Sequence, residues 1–164
     1  MKVDVDRDVV LQTTQGAVRG RLVDGVVAFK GIPYAAPPFG PQRFRPPQPH
    51  APWAGVRDAL TYGPTAPKPP YPPSFDFMEQ ALPDPVIPGE DCLNLNIWTP
   101  DPGMVGLPVM VWIHGGAFTN GSGAVPEYDG SRFARDGVVC VTINYRLGVD
   151  GVLYLDGAVA NRGP

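Results

Sequence analysis

The chain is short of the side chains that usually carry covalent catalysis. Its 164 residues contain three serines (Ser74, Ser122 and Ser131), two histidines (His50 and His114) and two cysteines (Cys92 and Cys140). No serine has glycines at both positions two residues away, so a G-x-S-x-G nucleophile elbow is missing. Long apolar runs are missing too: none approaches the roughly 18 to 20 residues of a membrane-spanning helix. The opening "MKVDVDRDVV" places charge where a secretory leader needs apolar residues. Basic excess is also lacking, with 13 Lys plus Arg against 16 Asp plus Glu and a formal net charge of -3. That balance offers no electrostatic footing for nucleic acid or for an anionic membrane surface. The expectation is a mildly acidic cytoplasmic protein with no nucleic-acid and no membrane partner. Both cysteines lie in apolar, strand-like runs without a basic neighbour, which predicts buried free thiols rather than a disulfide or a nucleophile.

Extended helical periodicity is equally scarce. Only "GSRFARDG" reads as a short helix, with Arg132 and Arg135 on its solvated side and Gly137 as its stop. Strand patterns are plentiful. Short strands are predicted at 9–13, 17–22 and 26–30, separated by Gln15-Gly16 and by Asp24-Gly25, the latter supplying the positive φ angles of a type I′ hairpin turn. In "EDCLNLNIWTP", Leu93, Leu95 and Ile97 alternate with Asn94, Asn96 and Trp98, as in a half-buried strand. "PVMVWIHG" and "VVCVTINYR" are nearly continuous apolar runs, the pattern of strands covered on both faces. The helices that would cover them are largely absent, so the chain reads as the front part of a larger α/β protein.

Of the 22 prolines, 17 fall between Pro33 and Pro88, in a stretch without either periodicity. Its aromatics, among them Tyr34, Phe39, Phe44, Trp53, Tyr62, Tyr71, Phe75 and Phe77, give an irregular segment something to bury. The excursion is expected to pack on the body as a cover or pocket wall.

Chemistry concentrates in "VWIHGGAF". A strand delivers its carboxyl end, where open α/β sheets bind ligands, into a Gly-Gly turn. Glycines there let a substrate oxygen approach main-chain N–H groups. Two such donors aimed at a developing oxyanion form the main electrostatic device of acyl transfer, one donor being worth about 2.7 to 4 kcal/mol. A tight turn that needs glycine only for its dihedrals is the competing reading.

"GAVRGRL", "FKGIPYAAPPFGPQRFRPPQP", "PWAGVRDA", "GEDCLNLNIW", "PVMVWIHGGAF", "YDGSRFA" and "VVCVTINYRLG" follow one another in the order of the type-B carboxylesterases, and the chain resembles the N-terminal portion of that family, which also holds cholinesterases and para-nitrobenzyl esterases. The resemblance implies an incomplete α/β-hydrolase fold, strand- and loop-rich with little helix. Residues 1–164 would be one part of a single domain: antiparallel strands at 1–32, the Pro-rich loop at 33–90, and the first strands of the central sheet with the oxyanion turn at 91–164. It implies ester hydrolysis by a serine through an acyl-enzyme, without metal or organic cofactor. Gly116 and Ala117 would be the oxyanion donors, supported by Gly115, with Ala117 standing where many relatives have glycine. Nucleophile, acid and base would come from the remainder of the esterase chain, and a small carboxylic ester would be the substrate.

Phe118 and Tyr128 would line the substrate pocket, with core packing as an equal alternative for each. Arg43 and Glu90 resemble a family ion pair tying the Pro-rich loop to the "EDCL" strand, and Asp91 would brace the same turn. Arg146 resembles an arginine paired with an aspartate just beyond "NRG". Cys92 forms a disulfide in secreted relatives, but residues 60–91 contain no partner cysteine, which suits a reducing compartment. Ser122 reads as a turn-shaping residue, His114 as a structural neighbour of the turn, and His50 as a solvated loop histidine. A non-catalytic cholinesterase-like binding module and an inactive truncated fragment are the alternatives.

Overall fold

The computed structural model describes residues 6–75 and 83–153. Strands β1 (Arg7–Gln12), β2 (Ala17–Val23) and β3 (Val26–Pro33) form an antiparallel meander. At the predicted hairpin, Asp24 (φ 48°) and Gly25 (φ 76°) both take the left-handed conformation that a type I′ turn requires. The Pro-rich excursion follows, carrying β4 (Val56–Asp58) and short 3-10 turns at Gly40–Gln42 and Pro73–Phe75. Then come β5 (Asn94–Thr99), β6 (Val109–Ile113), a 3-10 turn at Pro126–Tyr128, helix α1 (Ser131–Arg135), β7 (Val139–Ile143) and helix α2 (Gly148–Val152).

One mixed sheet holds all seven strands, in the order β1-β2-β3-β5-β7-β6, with β4 added parallel to β2. The β3/β5 and β5/β7 pairs are antiparallel and β7/β6 is parallel. Helix α1 packs onto the sheet where Ala134 meets Val26, Trp98 and Cys140. Gly130, at its start, allows this approach: a Cβ there would lie 2.6 Å from Cys140 Sγ. A second cluster joins Val18, Val27, Phe29 and Ala59. A third joins Ala35, Ala66, Cys92, Leu93 and Leu147, tying the Pro-rich segment to the start of β5.

The alternation expected of β5 is present, and its covered face is the one that carries the asparagines. Asn94, Asn96 and Trp98 are buried, while Leu95 and Ile97 are half-buried. Loop backbone covering that face supplies hydrogen-bond partners that an apolar core could not. Asn96 accepts from Gly31 N–H (2.9 Å) and donates to Gly123 O (3.1 Å) and Thr142 Oγ1 (2.9 Å). Asn94 donates to Pro64 O (2.7 Å) and Asp91 O (2.8 Å). Asn144, just past β7, accepts from Gly123 N–H (2.7 Å) and donates to Pro64 O (3.1 Å).

Strand β6 departs from the two-sided burial its sequence suggests. It forms an edge of the sheet, and Val109, Val111, Trp112 and Ile113 are exposed among the described residues. The Pro-rich excursion packs as a cover: Trp53 Nε1–H donates to Ala17 O (2.8 Å), and Lys30 N–H donates to Ala59 O (2.8 Å). Phe77 and the tail beyond Leu153 lie outside the described residues.

Cys92 and Cys140 are free and buried, as expected. Burial pushes the Cys92 thiol up to about 11 and raises that of Cys140. A thiol reagent such as DTNB at pH 8 should therefore label neither cysteine in the native chain and both after denaturation. Asn96→Ala orphans Gly31 N–H and Gly123 loses a donor, so urea unfolding should show a loss of about 2 to 4 kcal/mol.

Candidate functional site

The turn after β6 is built from backbone. His114 is buried, its ring stacked on Tyr145 (centroids 4.3 Å apart) with Nδ1 2.8 Å from Gly115 O. Tyr145 Oη–H donates to His114 O (2.7 Å), fixing the strand end. Burial pulls the His114 pKa below its usual value, which favours the neutral ring. Gly116 (φ 122°), Ala117 (φ 52°) and Phe118 (φ 61°) then follow with positive φ. Gly116 needs its missing side chain, because a Cβ would lie 2.0 Å from Asn120 O. At Gly115 a Cβ would meet nothing within 4 Å, so the space beside it is open.

This conformation sorts donors from acceptors. Thr119 N–H, Asn120 N–H and Thr119 Oγ1–H all donate to Gly116 O, and Gly148 N–H donates to Phe118 O (2.7 Å). Gly121 N–H, Gly123 N–H and Ala124 N–H find side-chain acceptors on Asp84, Asn144 and Ser122. The N–H groups of Gly116 and Ala117 have no acceptor among the described residues. Two adjacent donors at the carboxyl end of a strand, with their neighbours' carbonyls engaged elsewhere, can receive an anionic or polarised oxygen.

Phe118 is exposed, whereas half-buried Tyr128 packs against Trp112, with centroids 5.2 Å apart. Tyr128 and Trp112 line a cleft of about 400 Å³ together with Met110, Phe133 and Cys140, and Glu127 and Asp129 stand at its wall.

The expected Arg43–Glu90 pair does not form. Arg43 Nε donates to Asp150 Oδ1 on α2 (2.5 Å), and exposed Glu90 joins no ion pair among the described residues. The brace on the "EDCL" turn falls to Asp91, which takes Arg57 (2.8 Å) and His50 Nε2 (3.4 Å). His50 is thus not the solvated loop residue expected: it is largely covered and sits edge-on to Trp53. Arg146 donates to Arg45 O (2.9 Å), and its expected partner position lies outside the described residues.

Ser122 is buried, with Oγ–H donating to Asp84 (3.3 Å) and Oγ accepting from Ala124 N–H (3.3 Å), which suits a turn-shaping role. Sequence reasoning missed Lys68 and Asp84, a buried ion pair beneath the turn. Lys68 stands alone among prolines and Asp84 in an aperiodic stretch, so neither carries a pattern that announces burial. Burial lowers the Lys68 pKa, with the Asp84 carboxylate opposing the shift. Among the described residues, no group of three or more His, Cys, Asp and Glu is placed to hold a metal ion.

A solved PNB esterase superimposes with a TM-score of 0.81 at 44% identity, over 92% of this chain and 31% of that one. The chain therefore has the α/β-hydrolase fold and covers part of it. The sequence pattern of the carboxylesterase family matches residues 7–162, and the chain belongs to that family. It is 48% identical to phenmedipham hydrolase of Pseudarthrobacter oxydans over 145 residues, 88% of this chain and 29% of that protein. It is likewise 48% identical to para-nitrobenzyl esterase of Bacillus subtilis (strain 168) over 147 residues, 89% of this chain and 29% of that protein. The chain thus spans under a third of the length of these relatives.

Ala117 pays for its left-handed backbone, which costs an L-residue about 1 to 2 kcal/mol and glycine almost nothing. After the extra chain entropy of glycine is subtracted, Ala117→Gly should raise stability by about 0.5 to 1 kcal/mol. Thermal unfolding should show this as a Tm higher by about 1 to 4 °C.

Proposed function

We propose that the chain supplies the oxyanion turn and part of the pocket of a cytoplasmic serine carboxylesterase. The observation that carries this reading is the pair of N–H groups on Gly116 and Ala117 left without acceptors at the end of β6. In the reaction, a serine oxygen adds to the carbonyl carbon of a small carboxylic ester. The carbonyl oxygen becomes an oxyanion, the alcohol leaves on collapse of the tetrahedral intermediate, and water releases the acid from the acyl-enzyme. Gly116 and Ala117 donate to that oxyanion, and a third N–H comes from outside this chain. Open space beside Gly115 admits the carbonyl, while the Ala117 methyl narrows the room for a bulky acyl or alcohol group.

Nucleophile, acid and base belong to the remainder of the esterase polypeptide. Its docking surface is the exposed edge of β6, where Val111, Trp112 and Ile113 meet solvent and backbone groups await a further strand. Ser122 is unsuited to attack an ester because its hydroxyl is buried and engaged. The buried free thiols fit the cytoplasm.

The test is p-nitrophenyl butyrate hydrolysis by the purified 164-residue chain, alone and mixed with the remaining C-terminal part of the Bacillus subtilis para-nitrobenzyl esterase. Turnover should appear only in the mixture. Gly116→Ala, which drives a Cβ into Asn120 O, should lower kcat on the order of 100-fold. Turnover by the chain alone, abolished by Ser122→Ala, would overturn the assignment. A folded, silent mixture would favour a non-catalytic binding module.

A further inference from the structure

Beneath the turn, Lys68 and Asp84 meet in an ion pair with side chains only 1% and 5% exposed. Both come from the Pro-rich excursion, far in sequence from the turn they touch. Asp84 Oδ2 accepts from Gly121 N–H (2.7 Å), and Oδ1 accepts from Ser122 Oγ–H (3.3 Å) as well as from Lys68. Lys68 Nζ also donates to Gly121 O (3.3 Å), so both backbone groups of Gly121 are held by one pair. Asn120 is held from the same side, its Nδ2 donating to Pro69 O (2.9 Å).

The return leg of the turn lies directly on the outgoing leg, against its backbone and the His114 ring. A Cβ on Gly121 would sit 2.3 Å from Gly115 O and 2.4 Å from His114 Nδ1, and one on Gly116 would sit 2.0 Å from Asn120 O. Displacement of Asn120 and Gly121 therefore displaces Gly115 and Gly116. A well-packed apolar pair can fill such a space without loss of stability, because two buried charges lose their hydration. What an apolar pair cannot do is hold Gly121 by direction, through its N–H and its carbonyl at once.

We propose that Lys68 and Asp84 are positioning residues that set the aim of the Gly116 and Ala117 N–H groups by clamping Gly121 from the Pro-rich cover. The functional value of that aim rests on the oxyanion reading above; the clamp itself is read without any ester. It makes the cover part of the catalytic apparatus: a change in the Pro-rich loop at residue 68 or 84 reaches the turn through one shared glycine.

The experiment uses the isotopically labelled 164-residue chain and its Asp84→Asn variant, followed by NMR. Thr119 and Asn120 amides, which donate to Gly116 O, report the turn by hydrogen exchange. The φ-sensitive amide coupling of Ala117 reports its left-handed backbone. Amides of β5 and β7 are the control. Asp84→Asn should speed exchange at Thr119 and Asn120 about tenfold and shift the Ala117 coupling, with β5 and β7 unchanged. Asp84→Glu, which retains the charge, should restore part of the protection. Unchanged turn amides in Asp84→Asn overturn the proposal.

If Asp84→Asn loosens the sheet as well, the apolar double variant Lys68→Met/Asp84→Leu decides. A sheet as protected as in the parent with a loosened turn supports positioning. A protected turn, or a chain that does not fold, overturns it. Failure here leaves the donor reading intact, since Gly116→Ala in the ester assay tests that separately.

Discussion

Four polar side chains hold the molecule together, on the covered face of β5 and β7 and at the position just past β7: Asn94, Asn96, Thr142 and Asn144, all nearly inaccessible to solvent. Long irregular segments have no ladder of their own, and any backbone group they bury must find a partner or cost stability. The asparagines provide those partners at Gly31, Pro64, Asp91 and Gly123. Thr142 Oγ1–H donates to Gly123 O as well (2.9 Å), and among the described residues no buried side-chain polar atom lacks a partner. The Pro-rich cover and the loop after the turn thus rest on one network. Its completeness allows a sheet face to be polar and dry at once.

The candidate site follows from that support. Gly123 is fixed by Asn96, Thr142 and Asn144, Gly121 by Lys68 and Asp84, and the strand end by Tyr145. Between these anchors, Ala117 and Phe118 are held in a left-handed backbone that they would rarely adopt alone. The N–H groups of Gly116 and Ala117 are left without acceptors among the described residues, while their neighbours' polar groups are consumed internally. The proposed oxyanion role depends on preorganisation of this kind, because backbone donors held in place need no reorientation when negative charge develops.

Much of this was legible along the chain. Asp24-Gly25 announced its hairpin because a type I′ turn accepts few residues, and "VWIHGGAF" announced a strand ending in bare backbone because glycine is needed where a Cβ would collide. The short helix at Ser131–Arg135 and the burial of both cysteines were legible for similar local reasons. The half-buried strand β5 was legible as well, but its alternation shows two faces without showing which is covered. Ion-pair partners were illegible: Arg43 chose Asp150, over a hundred residues away, and His50 came under cover against Asp91 and Trp53.

The sequence by itself determined the family, the succession of strands, the hairpin and the Gly-rich turn, since each depends on short-range sterics or on an ordered set of local motifs. Only the tertiary structure decided which face of β5 is buried, which acid serves Arg43, that β6 is an exposed edge, and that Lys68 and Asp84 meet under Gly121. Those outcomes depend on where irregular loops come to lie. A loop's path is set by hydrogen bonds and charge pairs between residues far apart in the chain, and such pairs leave no period for a sequence to display.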